Sequence, residues 1–412
     1  MAKKTIRVLD SIMGSGKTTY IIDEMNRNQT KRYVYVTPFL DETDRILKGC
    51  PELDFKLPSG TYSKSASFEE LIKDGQNISM SHALFTRSSF SRPTLERIKE
   101  FGYELILDEE LECIESDDLS KSDSRLLVAN NTISIGDDGR VIWKDPNYSG
   151  KLKETKRAVE SGSLYTLGSD KYIWLLSTDL LECFESITII TYLYKYSLLF
   201  EYLKLKGFDH EFFYVNNGEL INGSPDYSET LASFREKISI YTGPLNNIAD
   251  HPSALSASWY RENSKSGGKM KALLNNGYNY LHNITQGTAG DSMWSVFKGN
   301  DGRAVTESGK ENRKRIIQNY ASCELPCNSR ATNKFADRNN LAYLCNLFLH
   351  PFQMEYFAKH GVKIDADGIA LSRFVQWVWR SSIRNGNPIN LYVPSSRMRY
   401  LFTAWIQHEK YF

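Results

Sequence analysis

The chain has 412 residues, a length that suits two or three domains of roughly 100–200 residues each. Its 51 basic residues balance 50 acidic ones, and a net charge of +1 excludes a nucleic-acid binder working by bulk charge and an acidic disordered tail. No apolar run reaches the roughly 20 residues of a membrane span, and the first residues lead into a short strand and not into a signal-peptide core, so a cytoplasmic protein with no membrane partner is expected.

Thr5–Leu9 reads as a buried strand, followed by a Gly-rich turn and a helix over Thr18–Asn28. Arg32–Thr37 is a second strand, stopped by Pro38. Asn77–Phe85 holds a third, ending in Ser81-His82-Ala83-Leu84-Phe85, and a helix over Arg92–Glu100 follows. Tyr103–Leu107 is a fourth strand running straight into acids, and Ser186–Tyr194 a fifth. Strands alternating with helices predict an α/β fold with a mostly parallel sheet flanked by helices. The segment 116–169, polar over Ser116–Ser124 and then a hairpin turning at Gly136-Asp137-Asp138-Gly139, reads as an insertion on the first domain and not as a domain of its own.

A helix over Ser197–Lys206 ends at Gly207, and Glu211–Val215 opens a second set of elements. That set comprises helix Met270–His282, strands Ser292–Phe297 and Glu324–Pro326, helices Asn339–Phe348 and Leu371–Ile383, strand Ile389–Val393 and a helix near Arg397–Glu409. The boundary is expected near residue 200, giving domains 1–200 and 201–412. Cys50, Cys113, Cys183, Cys323, Cys327 and Cys345 show no paired metal-ligand spacing and read as scattered free thiols.

Three constellations carry chemistry. Gly14-Ser15-Gly16-Lys17-Thr18-Thr19 sits between a strand and a helix, the context a Walker A phosphate loop requires. Glycines let backbone N–H groups curl around phosphate oxygens, and the helix N-terminus adds partial positive charge. Lys17 would reach the β- and γ-phosphates of ATP and the Thr18 hydroxyl would bind Mg²⁺, while Ser11 replaces the usual first glycine. The fourth strand ends in Asp108-Glu109-Glu110: Asp108 would hold Mg²⁺ and Glu109 would orient the attacking water. Near the C-terminus, Gln376, Arg380 and Arg384 recur every four residues on a predicted helix and so would share one face. Arg380 suits the role of an arginine that stabilises charge on the transferred phosphoryl group. Charge is segregated: seven acids crowd Asp108–Asp118, while Arg373–Arg399 holds five arginines and no acid. Trp377 and Trp379, interleaved with those arginines, read as core before they read as a base-stacking platform.

The order of these motifs resembles a superfamily-two DNA helicase of the DEAD/DEAH-like P-loop type, and more narrowly the compact helicases encoded by bacteriophages. The resemblance implies two RecA-like domains with ATP between them, Mg²⁺ as cofactor and DNA as partner, with RNA as a further possibility. It implies activity in phage DNA replication or recombination, beside the proteins of those processes, in the host cytoplasm. By the same resemblance Thr37, Pro38 and His82 lie along the nucleic-acid path, Thr191 stands in the motif coupling hydrolysis to movement, and Arg330 falls in the motif preceding the arginine helix. The usual Gln-x-x-Gly-Arg-x-x-Arg pattern is altered here: Trp379 replaces the glycine and Arg384 comes one position late. A DNA-translocating or remodelling ATPase that does not separate strands is the alternative reading.

Overall fold

The structure is a computed structural model and describes residues 4–38, 40–60, 63–87, 90–117, 119–148, 150–168, 171–249, 251–264, 268–297, 315–327 and 334–411. The chain forms two compact units, one of Met1–Ser224 with His350–Ile364, the other of Pro225–Leu349 with Asp365–Phe412.

In the first unit β1 is Thr5–Asp10, β2 Arg32–Thr37, β3 Ile78–Ser81 and β4 Tyr103–Asp108. Then come β5 (Ile114–Ser116), β6 (Ile133–Ile135), β7 (Val141–Trp143), β8 (Leu164–Thr166), β9 (Tyr172–Leu175), β10 (Ser186–Thr191), β11 (Asp209–Asn216) and β12 (Glu219–Asn222). A seven-stranded sheet takes the order β12-β11-β1-β10-β4-β2-β3, and every pair in it is parallel except β11 with β12. Its central strands are apolar on both faces, with Ile6, Val8, Val34, Val36, Leu105, Ile189 and Ile190 all essentially inaccessible. Near-continuous apolar runs of this kind are what a parallel sheet covered on both sides demands.

The expected boundary near residue 200 is not where the compact units divide. Glu211–Val215 does not open the second unit; it lies within β11, which pairs in parallel with β1 from Thr5↔Asp209 to Leu9↔Phe213. The helix Leu198–Leu205 is the crossover that returns the chain to that edge. The expected third strand also stops short. It ends at Ser81, and His82–Arg87 forms a short helix.

The 116–169 stretch is built differently from the expectation. Strands β5, β9 and β8 form an antiparallel sheet and β6 pairs with β7 around the expected Gly136–Gly139 turn. Leu119, Leu127, Ile133, Val141, Val159, Leu164 and Tyr172 make a separate core. The stretch therefore buries an apolar cluster of its own, which a simple insertion loop would not. The helix Pro351–Lys359, far away in sequence, belongs to this unit: Gln353 donates to the Ile114 carbonyl (3.5 Å) and Glu355 pairs with Lys171 (2.9 Å).

The second unit holds β13 (Ile238–Ile240), β14 (Ser292–Ser295), β15 (Asn340–Tyr343) and β16 (Ile389–Tyr392), a parallel sheet in the order β13-β16-β15-β14. The helix expected over Asn339–Phe348 is β15 and an irregular segment. Asn340–Tyr343 are all buried, and an apolar run buried on both faces has no period by which to tell strand from helix. Glu324 makes only an isolated bridge to Trp294 and does not extend into a strand. Among the described residues, no helix is long and apolar enough to cross a membrane.

His210 on β11 lies among Tyr194, Phe200 and Phe212, with the Phe200 ring 5.0 Å away. Burial pushes its pKa down from 6.5 to about 4. The folded state therefore keeps it neutral while the unfolded chain protonates it, so this stability is complete above pH 6.5 and is lost as pH falls towards about 4. Thermal denaturation across that range should show wild type losing stability relative to His210→Gln on acidification. Parallel pH profiles for the two proteins would refute the assignment.

Candidate functional site

Because β1, β10 and β4 are adjacent and parallel, their carboxyl ends lie side by side, with Asp10 in register with Thr191 and Asp108 with Ile190. The three segments singled out in the sequence leave from these ends: the Gly-rich loop from β1, the acids from β4 and Thr191 from β10 itself. Ligands of open parallel sheets bind at this edge.

Gly14 (φ 84°) and Gly16 (φ 88°) both occupy the left-handed region, which turns the loop tightly and aims it at the N-terminus of the helix Lys17–Arg27. Lys17 Nζ donates to the carbonyls of Ser11 and Ile12, the latter at 3.2 Å. Thr18 is half-buried in the first helical turn, and the exposed Thr19 accepts from the Arg45 guanidinium at 3.3 Å. The Ser15 hydroxyl is buried in the loop without a hydrogen-bond partner. A phosphate oxygen is the kind of acceptor such a hydroxyl and such a loop are built to meet.

Ser11 is fully buried, and its hydroxyl accepts the Val215 N–H at 2.9 Å while its own N–H donates to the Thr191 carbonyl at 3.1 Å. The departure from the usual glycine therefore has a function: the hydroxyl satisfies a buried amide at the end of β11.

Asp108 Oδ2 accepts from the Tyr35 hydroxyl at 2.9 Å. Burial and the neighbouring Glu109 carboxylate push the Asp108 carboxyl up to about 7, against the opposing pull of the Tyr35 bond. A cation at this position would relieve both causes. Glu109 adopts a left-handed backbone (φ 67°), rare for a residue with a side chain. Its N–H is held by the Ile190 carbonyl (2.9 Å), and its Oε2 accepts the Thr191 hydroxyl at 2.7 Å. Thr18 and Asp108 together supply a hydroxyl and a carboxylate, the oxygen donors Mg²⁺ prefers.

Other expected residues stand differently. Thr37 is fully buried at the end of β2 and its hydroxyl has no hydrogen-bond partner, so its side chain does not face a polymer; Pro38 beside it is half-buried. His82 turns inward, its Nε2 2.7 Å from the Asp108 carbonyl, so it braces the acidic strand end. Arg330 lies outside the described residues.

Gln376, Arg380 and Arg384 do not share a helix face. The helix Ala366–Val378 ends at the Trp379 cap, where Ser381 bonds the Val378 carbonyl through both its N–H and its hydroxyl, and the Ser382 N–H goes to the Arg338 carbonyl. Gln376 is buried, Arg380 is half-buried in the following turn and Arg384 is exposed in a short 3-10 segment. Trp377 and Trp379 are core: Trp377 donates to the Leu325 carbonyl (3.2 Å) and Trp379 stands edge-on to Trp405.

Residues 232–406 match the YonV C-terminal Rossmann-like domain, and residues 114–174 match the YonV middle domain. The SPbeta prophage-derived uncharacterized protein YonV of Bacillus subtilis (strain 168) is 34% identical over 424 residues, covering 98% of this chain and 99% of YonV. The chain belongs to the YonV family. In this family member the middle domain coincides with the separate core described above. Among solved structures, the one described as XPD_APO matches with a TM-score of 0.51 at 13% identity, covering 98% of this chain and 95% of the other. The one described as XPD_Helicase matches with a TM-score of 0.48 at 12% identity, covering 98% and 95%. The first likeness extends over nearly the whole YonV-family chain and concerns the fold, that of two RecA-like α/β domains.

The Ser11 bond yields a direct test. Ser11→Gly restores the usual loop residue but strands the buried Val215 N–H, so a loss of about 1–3 kcal/mol in folding stability is expected in urea denaturation. An unchanged midpoint would mean that the bond contributes nothing.

Proposed function

We propose that this YonV-family chain is an ATP-hydrolysing, helicase-like enzyme acting on DNA. One observation carries the reading: the phosphate loop, the Asp108–Glu109 pair and the Thr191 hydroxyl leave from the ends of three adjacent strands at one edge of the sheet, with Thr191 bonded to Glu109. A phosphate loop alone would serve a kinase equally well. A strand-end pair of carboxylates, one suited to metal and one tied to a threonine on the neighbouring strand, suits hydrolysis and its coupling to movement. The motif order described in the sequence and the XPD-like fold support the same reading.

In this reading the loop amides around Gly14–Gly16 and the hydroxyl of Ser15 receive phosphate oxygens, with Thr19 in the first turn of the helix that follows. Lys17 leaves the Ser11 and Ile12 carbonyls for the β- and γ-phosphates. Thr18 and Asp108 would hold Mg²⁺, which supplies charge neutralisation on the phosphates. Glu109 orients and polarises water, its carboxylate aimed by Thr191. Arg380 stabilises charge on the transferred group, Gln376 is the motif's glutamine and Arg384 is its second arginine. Pro38 and Arg330 are the residues that would contact DNA, and the cellular setting is phage DNA replication or recombination.

Lys17→Ala should reduce steady-state ATP turnover by about 100-fold or more. Near-normal turnover would remove the central claim. Glu109→Gln should bind nucleotide with affinity close to wild type and hydrolyse it at least about 100-fold more slowly. Weak binding in an equilibrium titration would show its role to be misassigned. Arg380→Ala should slow hydrolysis with little change in ATP affinity.

ATPase measured with no polymer, single-stranded DNA, duplex DNA and RNA, beside a strand-displacement assay, tests the coupling. Stimulation by DNA with displacement is expected. Stimulation without displacement would select a translocating or remodelling ATPase, and no stimulation by any polymer would sink both.

A further inference from the structure

Asp10 is the last residue of β1 and stands immediately before the phosphate loop. Both of its carboxylate oxygens are engaged by backbone: Oδ1 accepts the Leu193 N–H at 2.8 Å and Oδ2 the Tyr194 N–H at 3.0 Å. These two peptide groups come just after β10. Leu193 adopts the left-handed conformation (φ 59°, ψ 39°), which is strained for a residue with a side chain and persists only where the surroundings enforce it. The bidentate grip of Asp10 is that enforcement.

Two residues before Leu193 stands Thr191, in register with Asp10. Its carbonyl accepts the Ser11 N–H at 3.1 Å, and its hydroxyl donates to Glu109 Oε2 at 2.7 Å. Glu109 itself is held in a left-handed conformation with its N–H on Ile190. The bonds form a continuous path: Asp10 to the Leu193–Tyr194 turn, back to Thr191, across to Glu109, and from Thr191 to Ser11 at the root of the loop. A carboxylate that accepts two amides is worth more than a neutral acceptor, and its rigidity is passed to groups whose alignment decides hydrolysis.

We infer that Asp10 is a positioning residue: by gripping the Leu193–Tyr194 turn it sets the Thr191 hydroxyl, and through it the Glu109 carboxylate, relative to the phosphate loop. This rests on the reading of the site as a nucleotide hydrolase. Asp10 touches neither nucleotide nor water in this scheme; its effect passes entirely through Thr191.

The test is steady-state ATPase on the full chain, wild type beside Asp10→Asn, Asp10→Ser, Thr191→Val and the double variants, with circular dichroism confirming that each is folded. Asp10→Asn keeps the shape but turns an NH₂ towards an amide donor. Asp10→Ser keeps one acceptor without that clash and stands in should Asp10→Asn not fold. Each should lower kcat by about 10-fold while KM for ATP stays within about 3-fold. Because the effect runs through Thr191, adding either change to Thr191→Val should lower kcat no further than Thr191→Val alone. Unchanged kcat in a folded Asp10 variant overturns the inference and leaves the hydrolase reading standing, and so do losses that multiply in the double variant. A wild type that hydrolyses no nucleotide overturns both.

Discussion

The site depends on β10 lying between β1 and β4. Parallel pairing on both sides of this strand brings the phosphate loop and the acidic strand end, some ninety residues apart, onto a single edge, and puts Thr191 between them. Residues on β10 therefore touch both neighbours. Thr191 takes the Ser11 amide with its carbonyl and gives its hydroxyl to Glu109, so one residue binds the two halves of the site.

That edge is crowded with carboxylates in a poorly solvated setting. Burial pushes Asp10 up to about 6 and Asp108 up to about 7, and each is held by hydrogen-bond donors rather than left bare. The Asp10 grip and the Tyr35 bond have different characters. Both oxygens of Asp10 are engaged by backbone amides, whereas only Oδ2 of Asp108 meets the Tyr35 hydroxyl. Two acids at the same edge of the sheet are thereby held in different ways by their partners.

The parts of this arrangement that were legible in the sequence are those encoded over a few residues. The glycine spacing around Lys17, the apolar run into Asp108 and the Arg32–Thr37 strand all appear in the structure as read. Contacts over long sequence separations were not legible. The Val215 partner of Ser11 lies 204 residues away and the Leu193 partner of Asp10 lies 183 away, and neither residue type announces such a bond. Periodicity misled where burial was complete, as in β15, and where a helix ended inside its own pattern. The i, i+4 spacing from Gln376 to Arg384 crosses the Trp379 cap, where Ser381 takes the Val378 carbonyl and the face ends. Thr37 ends β2 as expected, while His82 opens the short helix that follows β3, and both side chains turn into the protein.

The helix Pro351–Lys359 bears on how the chain is made. It completes the first unit, although it is synthesised only after β13, β14 and β15 of the second. The first unit thus cannot finish folding as soon as its own N-terminal stretch leaves the ribosome. The surface awaiting this helix stays uncovered until residue 364 has emerged, by which time most of the second unit is already present. A fragment cut at Ser224 would lack the same piece, so no single cleavage of the chain yields the two compact units whole.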